Sequence, residues 1–277
     1  MFYHCLFLST GILMVSHAFS QNEIVYNARS EALSYTSVTL TDAWSVTNNQ
    51  AGLAFNHIKL IGINCSDRFM LSDLSTQTVI ASLPVGTGSL GSSFSLFGSS
   101  PYHEEHFCIA YGRKLIEWFG AGIGLNYHYY TVEATAQTSS AITGDIGILA
   151  MPVEEIKIGL QVLNISKSKF NRSKKDELTS GIRFGFSYSE KEENYLLGVQ
   201  IDWNNYKQIN VRMAAECLLI KSLFIRFGVK LLDAASYSFG LGIQRQRILI
   251  DLGFEENTCL GLSSSISWII ELDKNGK

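Results

Sequence analysis

Residues able to do chemistry fall into three groups along this 277-residue chain. The first is His103-Glu104-Glu105-His106, a donor set that invites a metal ion. It lacks the helical spacing of a zinc hydrolase and reads as part of a loop at 98–105, so a solvated loop is expected instead. The second group is Arg212, Glu216, Arg226, Lys230 and Asp251, charges set on alternate positions of otherwise apolar segments. Both signs occur, which predicts internal ion pairs rather than a path selective for one ion. Glu216 and Arg226 stand almost symmetrically about Lys221-Ser222 and are expected to face each other across a hairpin. The third group is the basic run Lys167, Lys169, Arg172, Lys174 and Lys175, suited to an acidic partner or simply to a solvated loop. There is no Gly-x-Ser-x-Gly elbow. Gly120-Ala121-Gly122-Ile123-Gly124 precedes a strand, not a helix, and so is no phosphate loop. No catalytic, cofactor or metal site is expected, and the chain reads as non-enzymatic.

The charges of the second group are positioned by strands. Leu223, Ile225, Phe227, Val229 and Leu231 alternate with Arg226, Gly228 and Lys230. Ile248, Ile250, Leu252 and Phe254 alternate with Arg247, Leu249, Asp251 and Gly253. A period of two sends these sets to opposite faces. Alternation and turn residues predict about fourteen strands, with about twelve as the alternative count. They run at 57–65, 72–83, 89–97, 106–114, 121–132, 141–150, 156–166, 178–188, 194–203, 208–219, 223–232, 237–244, 247–254 and 259–270. The fold class is therefore all-β: a transmembrane, antiparallel, up-and-down β-barrel. Short turns should alternate with longer external loops, chiefly 98–105 and 167–177.

Tyr195, Trp203, Tyr237, Phe254 and Trp268 fall near strand ends on the apolar face, where rings favour the membrane–water interface. Gly147, Gly159, Gly185, Gly198, Gly228, Gly240 and Gly242 recur on the polar face, leaving room in the lumen or letting strands bend. A soluble sandwich would instead bury its apolar face and carry more Lys and Glu on the other.

Residues 1–20 resemble a secretory signal, with an apolar core at 6–15 and Ala18-Phe19-Ser20 before Gln21. The reading divides the chain into a signal at 1–20, an N-terminal plug at 21–55 and a barrel at 56–277. The net charge of −3 offers no basic surface for nucleic acid. Cys65, Cys108, Cys217 and Cys259 show no metal spacing. Such cysteines are expected to be small apolar fillers; in a closed barrel Cys65 and Cys259 approach each other, and that is the one attractive disulfide and the alternative.

Residues 27–54 carry Ala28-Arg29, Ala32-Leu33, Ser37-Val38-Thr39-Leu40, Asp42 with Ser45, and Asn49 through Gly52 to Leu53. This stretch resembles the opening of the PorV/PorQ family of outer-membrane barrels, related to the FadL-like fatty-acid transporters. Two departures stand out: Ser34-Tyr35-Thr36 replaces the family's Gly-Gly-Ala turn, and Gln50 replaces its Pro. Asp42, Ser45, Asn49 and Gly52 are the candidate plug residues, with Asp42 expected to accept from nearby backbone N–H groups.

The resemblance implies an outer-membrane location and an accessory role in type IX secretion or surface attachment in Bacteroidota. Secretion or surface-attachment proteins would then be the partners, meeting the external loops. The basic run, Lys167 to Lys175, could equally meet lipopolysaccharide. The alternative it implies is transport of a hydrophobic small molecule, with the plug as gate. Phe224, Leu218 and Leu249 are the apolar residues expected to face inward. An apolar tunnel would favour transport, and a packed polar lumen the partner-binding role.

Overall fold

The computed structural model describes residues 27–100, 102–133, 136–170, 178–190, 194–205, 208–232 and 235–272. The expected signal at 1–20, with Cys5, lies outside the described residues. The first strands are β1 (Leu60–Asp67), β2 (Ser75–Val85), β3 (Gly88–Ser99), β4 (Tyr102–Ile116) and β5 (Phe119–Val132). Then come β6 (Gln137–Val153), β7 (Ile156–Leu163), β8 (Gly181–Ser189), β9 (Tyr195–Asn204) and β10 (Ile209–Ile220). The last are β11 (Leu223–Leu231), β12 (Ser236–Arg245), β13 (Ile248–Asn257) and β14 (Gly261–Glu271). Each pairs with its chain neighbours, and β1 pairs with β14, so the sheet closes without an edge.

The polarity of this barrel is inverted relative to a protein made for water. Phe184, Phe186 and Tyr188 on β8, and Tyr195, Leu197, Val199, Ile201 and Trp203 on β9, are exposed on the outer wall. Ser187, Gln200, Arg212, Glu216, Arg226 and Asp251 are buried on the inner wall. An apolar exterior continuous around a closed barrel is suited to lipid, and it identifies the strands as the membrane-crossing elements. Among the described residues no helix is long and apolar enough to cross a membrane.

Residues 27–56 lie within the barrel. They form the helix α1 (Ala28–Ala32), the helix α2 (Ser45–Asn48) and a 3-10 stretch at Gln50–Phe55. Three apolar clusters seat this segment against the wall. Ala43 and Trp44 meet Leu60, Ile80 and Ile269; Leu33 and Leu40 meet Leu196 and Ala214; Val46 and Leu53 meet Cys108 and Ala110.

Two sequence expectations need correction. The loop expected at 98–105 is mostly strand, since β3 runs to Ser99 and β4 begins at Tyr102. His103 to His106 therefore lie on β4 and not in a solvated loop, and His106 is buried against the lumen. The Cys65–Cys259 disulfide, the lesser of the two readings of these cysteines, is not formed, and both thiols are free. Cys65 on β1 pairs in register with Ile266, whereas Cys259 sits in the turn before β14. Apart from 68–74 and 164–180, the connections that follow odd-numbered strands are short, and the projection of the barrel comes from the length of β4, β5 and β6 instead.

Candidate functional site in the barrel lumen

Arg29 on α1 anchors the segment to the wall. Its Nη2 and Nε donate to the two carboxylate oxygens of Glu216 at 2.7 and 3.0 Å, a two-pronged contact that fixes the guanidinium plane. Its Nη1 donates to Asp42 Oδ2 at 3.0 Å. Burial works against charge on Arg29, but Glu216 and Asp42 outweigh it and raise its pKa above the ordinary arginine value. Glu216 also accepts from Arg226, which donates on to Asp251 Oδ1 at 2.6 Å. The expected pairing of Glu216 with Arg226 across the β10–β11 hairpin is present in the register.

Arg212 forms a second arm. It donates to Asp202 Oδ2 at 2.5 Å and to the Ser34 carbonyl at 3.0 Å, and it lies 5.4 Å from the Tyr35 ring centroid. Ser34 and Tyr35 both adopt positive φ, 48° and 60°. This is where the resembling family carries glycine, and a bulky residue there stores strain of about 1–3 kcal/mol. The contacts from Arg212 offset that strain. Lys230 is half-buried on the same wall and lies outside the Arg29 network.

The four candidate plug residues hold the segment's own bends. Asp42 Oδ1 accepts from the Trp44 N–H at 2.9 Å, and Ser45 Oγ donates to the Leu40 carbonyl at 3.2 Å. Asn49 caps the 3-10 stretch through the Ala51 N–H and donates to the carbonyls of Val38 and Ile148, the latter on β6. A Cβ on Gly52 would stand 2.4 Å from Ser45 Oγ, so these two residues require one another.

The wall makes room for the segment. A Cβ on Gly147 would lie 2.0 Å from Asn49 Oδ1, and one on Gly122 would lie 2.3 Å from the Gln50 carbonyl carbon. The glycine-rich run 120–124 is thus part of β5, with Gly122 and Gly124 turned to Gln50. Gln50, standing where the resembling family has Pro, accepts from Gln161 at 3.2 Å. Gln200 accepts from the N–H groups of Ser37 and Val38, and Ser34 and Ser238 share a hydroxyl contact of 2.8 Å.

A cavity of about 130 Å³ lies on the side of the long 164–180 connection. Ser37, Thr47 and Gln50 form its floor and His106, Asn126 and Asp145 part of its wall. Another cavity, of about 310 Å³, lies at the short-turn end, between Arg29 and Asp42 on one side and Lys157, Leu249 and Arg247 on the other. Leu218, Phe224 and Leu249 face inward as expected, but Phe224 is covered by Arg226, 5.6 Å from its ring centroid. Leu249 lines the larger of these two cavities, Leu218 and Phe224 line neither, and among the described residues no group of three His, Cys, Asp or Glu could hold a metal ion.

Lys167 and Lys169 are exposed beyond β7, while Arg172, Lys174 and Lys175 lie outside the described residues. Sequence reasoning missed the chain His106–Asn126–Asp145, with contacts of 3.2 and 2.8 Å. The signal was their shared inward parity on β4, β5 and β6. It also missed Glu31, buried on α1 with neither carboxylate oxygen in a well-formed hydrogen bond.

No protein-family profile and no curated protein matches the sequence. Solved structures match over most of both chains. A FadL homologue of Pseudomonas aeruginosa has 10% identity and a TM-score of 0.66, over 89% of this chain and 98% of that one. The Pseudomonas putida toluene transporter TodX has 10% identity and a TM-score of 0.65, over 90% of this chain and 99% of that one. The Ralstonia pickettii toluene transporter TbuX has 8% identity and a TM-score of 0.62, over 89% and 97%. At such identities the likeness is one of fold: the chain shares the closed-barrel fold of these three structures.

Proposed function

We propose that the chain is a plugged outer-membrane channel for small molecules, in which residues 27–56 must yield before a solute passes. The observation that carries this reading is the pair of cavities, one on each side of a segment that fills the barrel between them. Part of the segment's hold on the wall is neutral hydrogen bonding, as at Ser37–Gln200 and Ser34–Ser238, and water can replace such contacts at modest net cost. The toluene transporters of like fold make a hydrophobic small molecule the first cargo to test.

A second reading is favoured by the buried polar and charged residues of the inner wall and the segment that fills it. It is a PorV/PorQ-like accessory barrel that holds secretion or surface-attachment proteins at the outer membrane, meeting them through its external connections.

One experiment separates the two. Ser34 and Ser238 touch, so Ser34→Cys with Ser238→Cys, in a background lacking the other cysteines, ties the segment to β12 on oxidation. Proteoliposomes holding this variant should pass toluene or a small sugar when reduced and stop when oxidised. Flux indifferent to the tie overturns the channel with a moving plug. Absence of flux in both states, with surface-attachment proteins recovered alongside the native barrel, supports the accessory role.

A further inference from the structure

We propose that the upper part of β6 is a docking edge for an extended, acidic peptide segment of a partner protein, which joins the barrel wall as an added strand. The proposal needs neither reading of the lumen, because this edge belongs to the wall. β6 runs for 17 residues and β7 for only 8. β5 pairs with β6 from Gln137 to Ala150, whereas β7 begins to pair only at Ile146. Among the described residues, no strand lies beside 137–145 on the β7 side.

The backbone shows which groups face the gap. The Ile165 N–H donates to the Gly144 carbonyl at 2.9 Å, among the described residues the outermost backbone bond on that side of β6. Backbone direction alternates along a strand, so the N–H and C=O groups of Ile142, Ser140 and Thr138 face the same way. Beyond β7 the chain leaves the plane of the sheet. Asn164 has a φ of 47°, its N–H turns to Asp145 Oδ1, and Phe170 packs edge-on against the His128 and Tyr130 rings of the inner face. Ser140 is in register with Tyr129, and Tyr129 with Glu105, beyond the apolar belt. Water, not lipid, meets these groups before a partner does.

The composition of this edge points to a strand as its occupant. Exposed edges are ordinarily blunted by Lys, Pro or a bulge. Residues 137–144 read Gln-Thr-Ser-Ser-Ala-Ile-Thr-Gly, with no charge and no proline. Donors and acceptors repeating along an extended backbone are matched by another backbone, and such main-chain bonds carry the affinity in strand addition. The charge beside the edge sets the partner's character. Residues 165–170 climb along it from the Ile165–Gly144 bond to the 2.6 Å bond of Ser139 Oγ to the Phe170 carbonyl, and Lys167 and Lys169 between them are exposed. A carboxylate on the incoming strand meets these lysines. A second copy does not fit. Both copies stand the same way up in the membrane, and a two-fold along its normal makes their tilted β6 strands cross.

The probe is a short synthetic peptide of alternating Thr and Val that ends in two Glu, offered to the purified protein in detergent. Its fluorescence anisotropy should report binding, and NMR should show exchange of the Ser140 and Ile142 amides slowing when it is added. Lys in place of the two Glu should weaken binding about threefold or more. Ser140→Pro should weaken it about tenfold or more, because Pro removes an N–H of the free edge while the bonds to β5, made by the residues on either side, remain. Ser140→Ala should bind as the parent does, since its backbone is unchanged. The exchange measurement uses the unaltered protein, so it decides even where Ser140→Pro fails to fold. No binding, undiminished binding by a folded Ser140→Pro, or equal binding of the Lys peptide overturns the proposal. Slow exchange of Ser140 and Ile142 in the protein alone means that the chain itself or a second copy covers the edge, and overturns it too.

Discussion

Glu216 stands between two guanidiniums. It meets Arg29 of the inner segment and Arg226 of the wall. Removing one partner from a buried pair costs about 3–5 kcal/mol, because the remaining charge stays buried without compensation. Glu216→Gln is therefore expected to loosen residues 27–56 while the barrel persists. Trypsin should cut after Arg29 in the variant under conditions where the parent resists, with the barrel fragment intact. Equal resistance would mean that the apolar clusters alone hold the segment. At this scale the hairpin partner of Glu216 was legible, since parity and symmetry about a tight turn determine who faces whom. Arg29 was not legible as its other partner, because 187 residues separate them and only the closed barrel brings them together.

Strands were the most legible elements, since lipid outside and polar groups inside enforce a strict alternation. That alternation fades on β4 at Tyr102 to Glu105, where the strand continues beyond the apolar belt. Both faces there meet polar surroundings, so backbone pairing persists with no pattern in the side chains, and a loop was expected in its place. α1 was not legible as a helix, being too short to show a helical period. It carries a testable property at Glu31, which sits off the spanning strands. Burial pushes its carboxyl up to about 8; Glu255 adds to this, and Ser265 and Arg68 oppose it. The folded value lies above the ordinary 4.5, so the bound proton favours docking. This contribution is complete below pH 4.5, declines as the pH rises and is lost above about 8. Fluorescence of the buried Trp44 should therefore report a looser segment at pH 9 than at pH 6. Glu31→Gln, neutral throughout, should remove that difference. A transition unchanged in Glu31→Gln would assign it to other groups.

For the whole molecule, stability follows from closure. In lipid an unpaired strand edge leaves N–H and C=O groups unmet at several kcal/mol each, so an open sheet of this composition has no stable place. The last pairing joins β1 to β14 from Leu60–Glu271 to Asp67–Ser264. Closure was implied by the strand count and the barrel reading, but the pairing partners of β1 were legible only by assuming a simple meander. The filled interior was less legible: the inward glycines left room, and nothing in their spacing said that residues 27–56 would occupy it. Deleting 261–277 removes β14 and exposes two edges, on β1 and β13. The complete protein, unheated in SDS, should migrate as a compact band that slows on boiling, whereas the truncated one should migrate identically in both states. Glu216→Gln should keep the compact band while losing protection at Arg29. A truncated chain that still migrates compactly would mean that a barrel can re-close on fewer strands, and β14 would then not be the element on which closure depends.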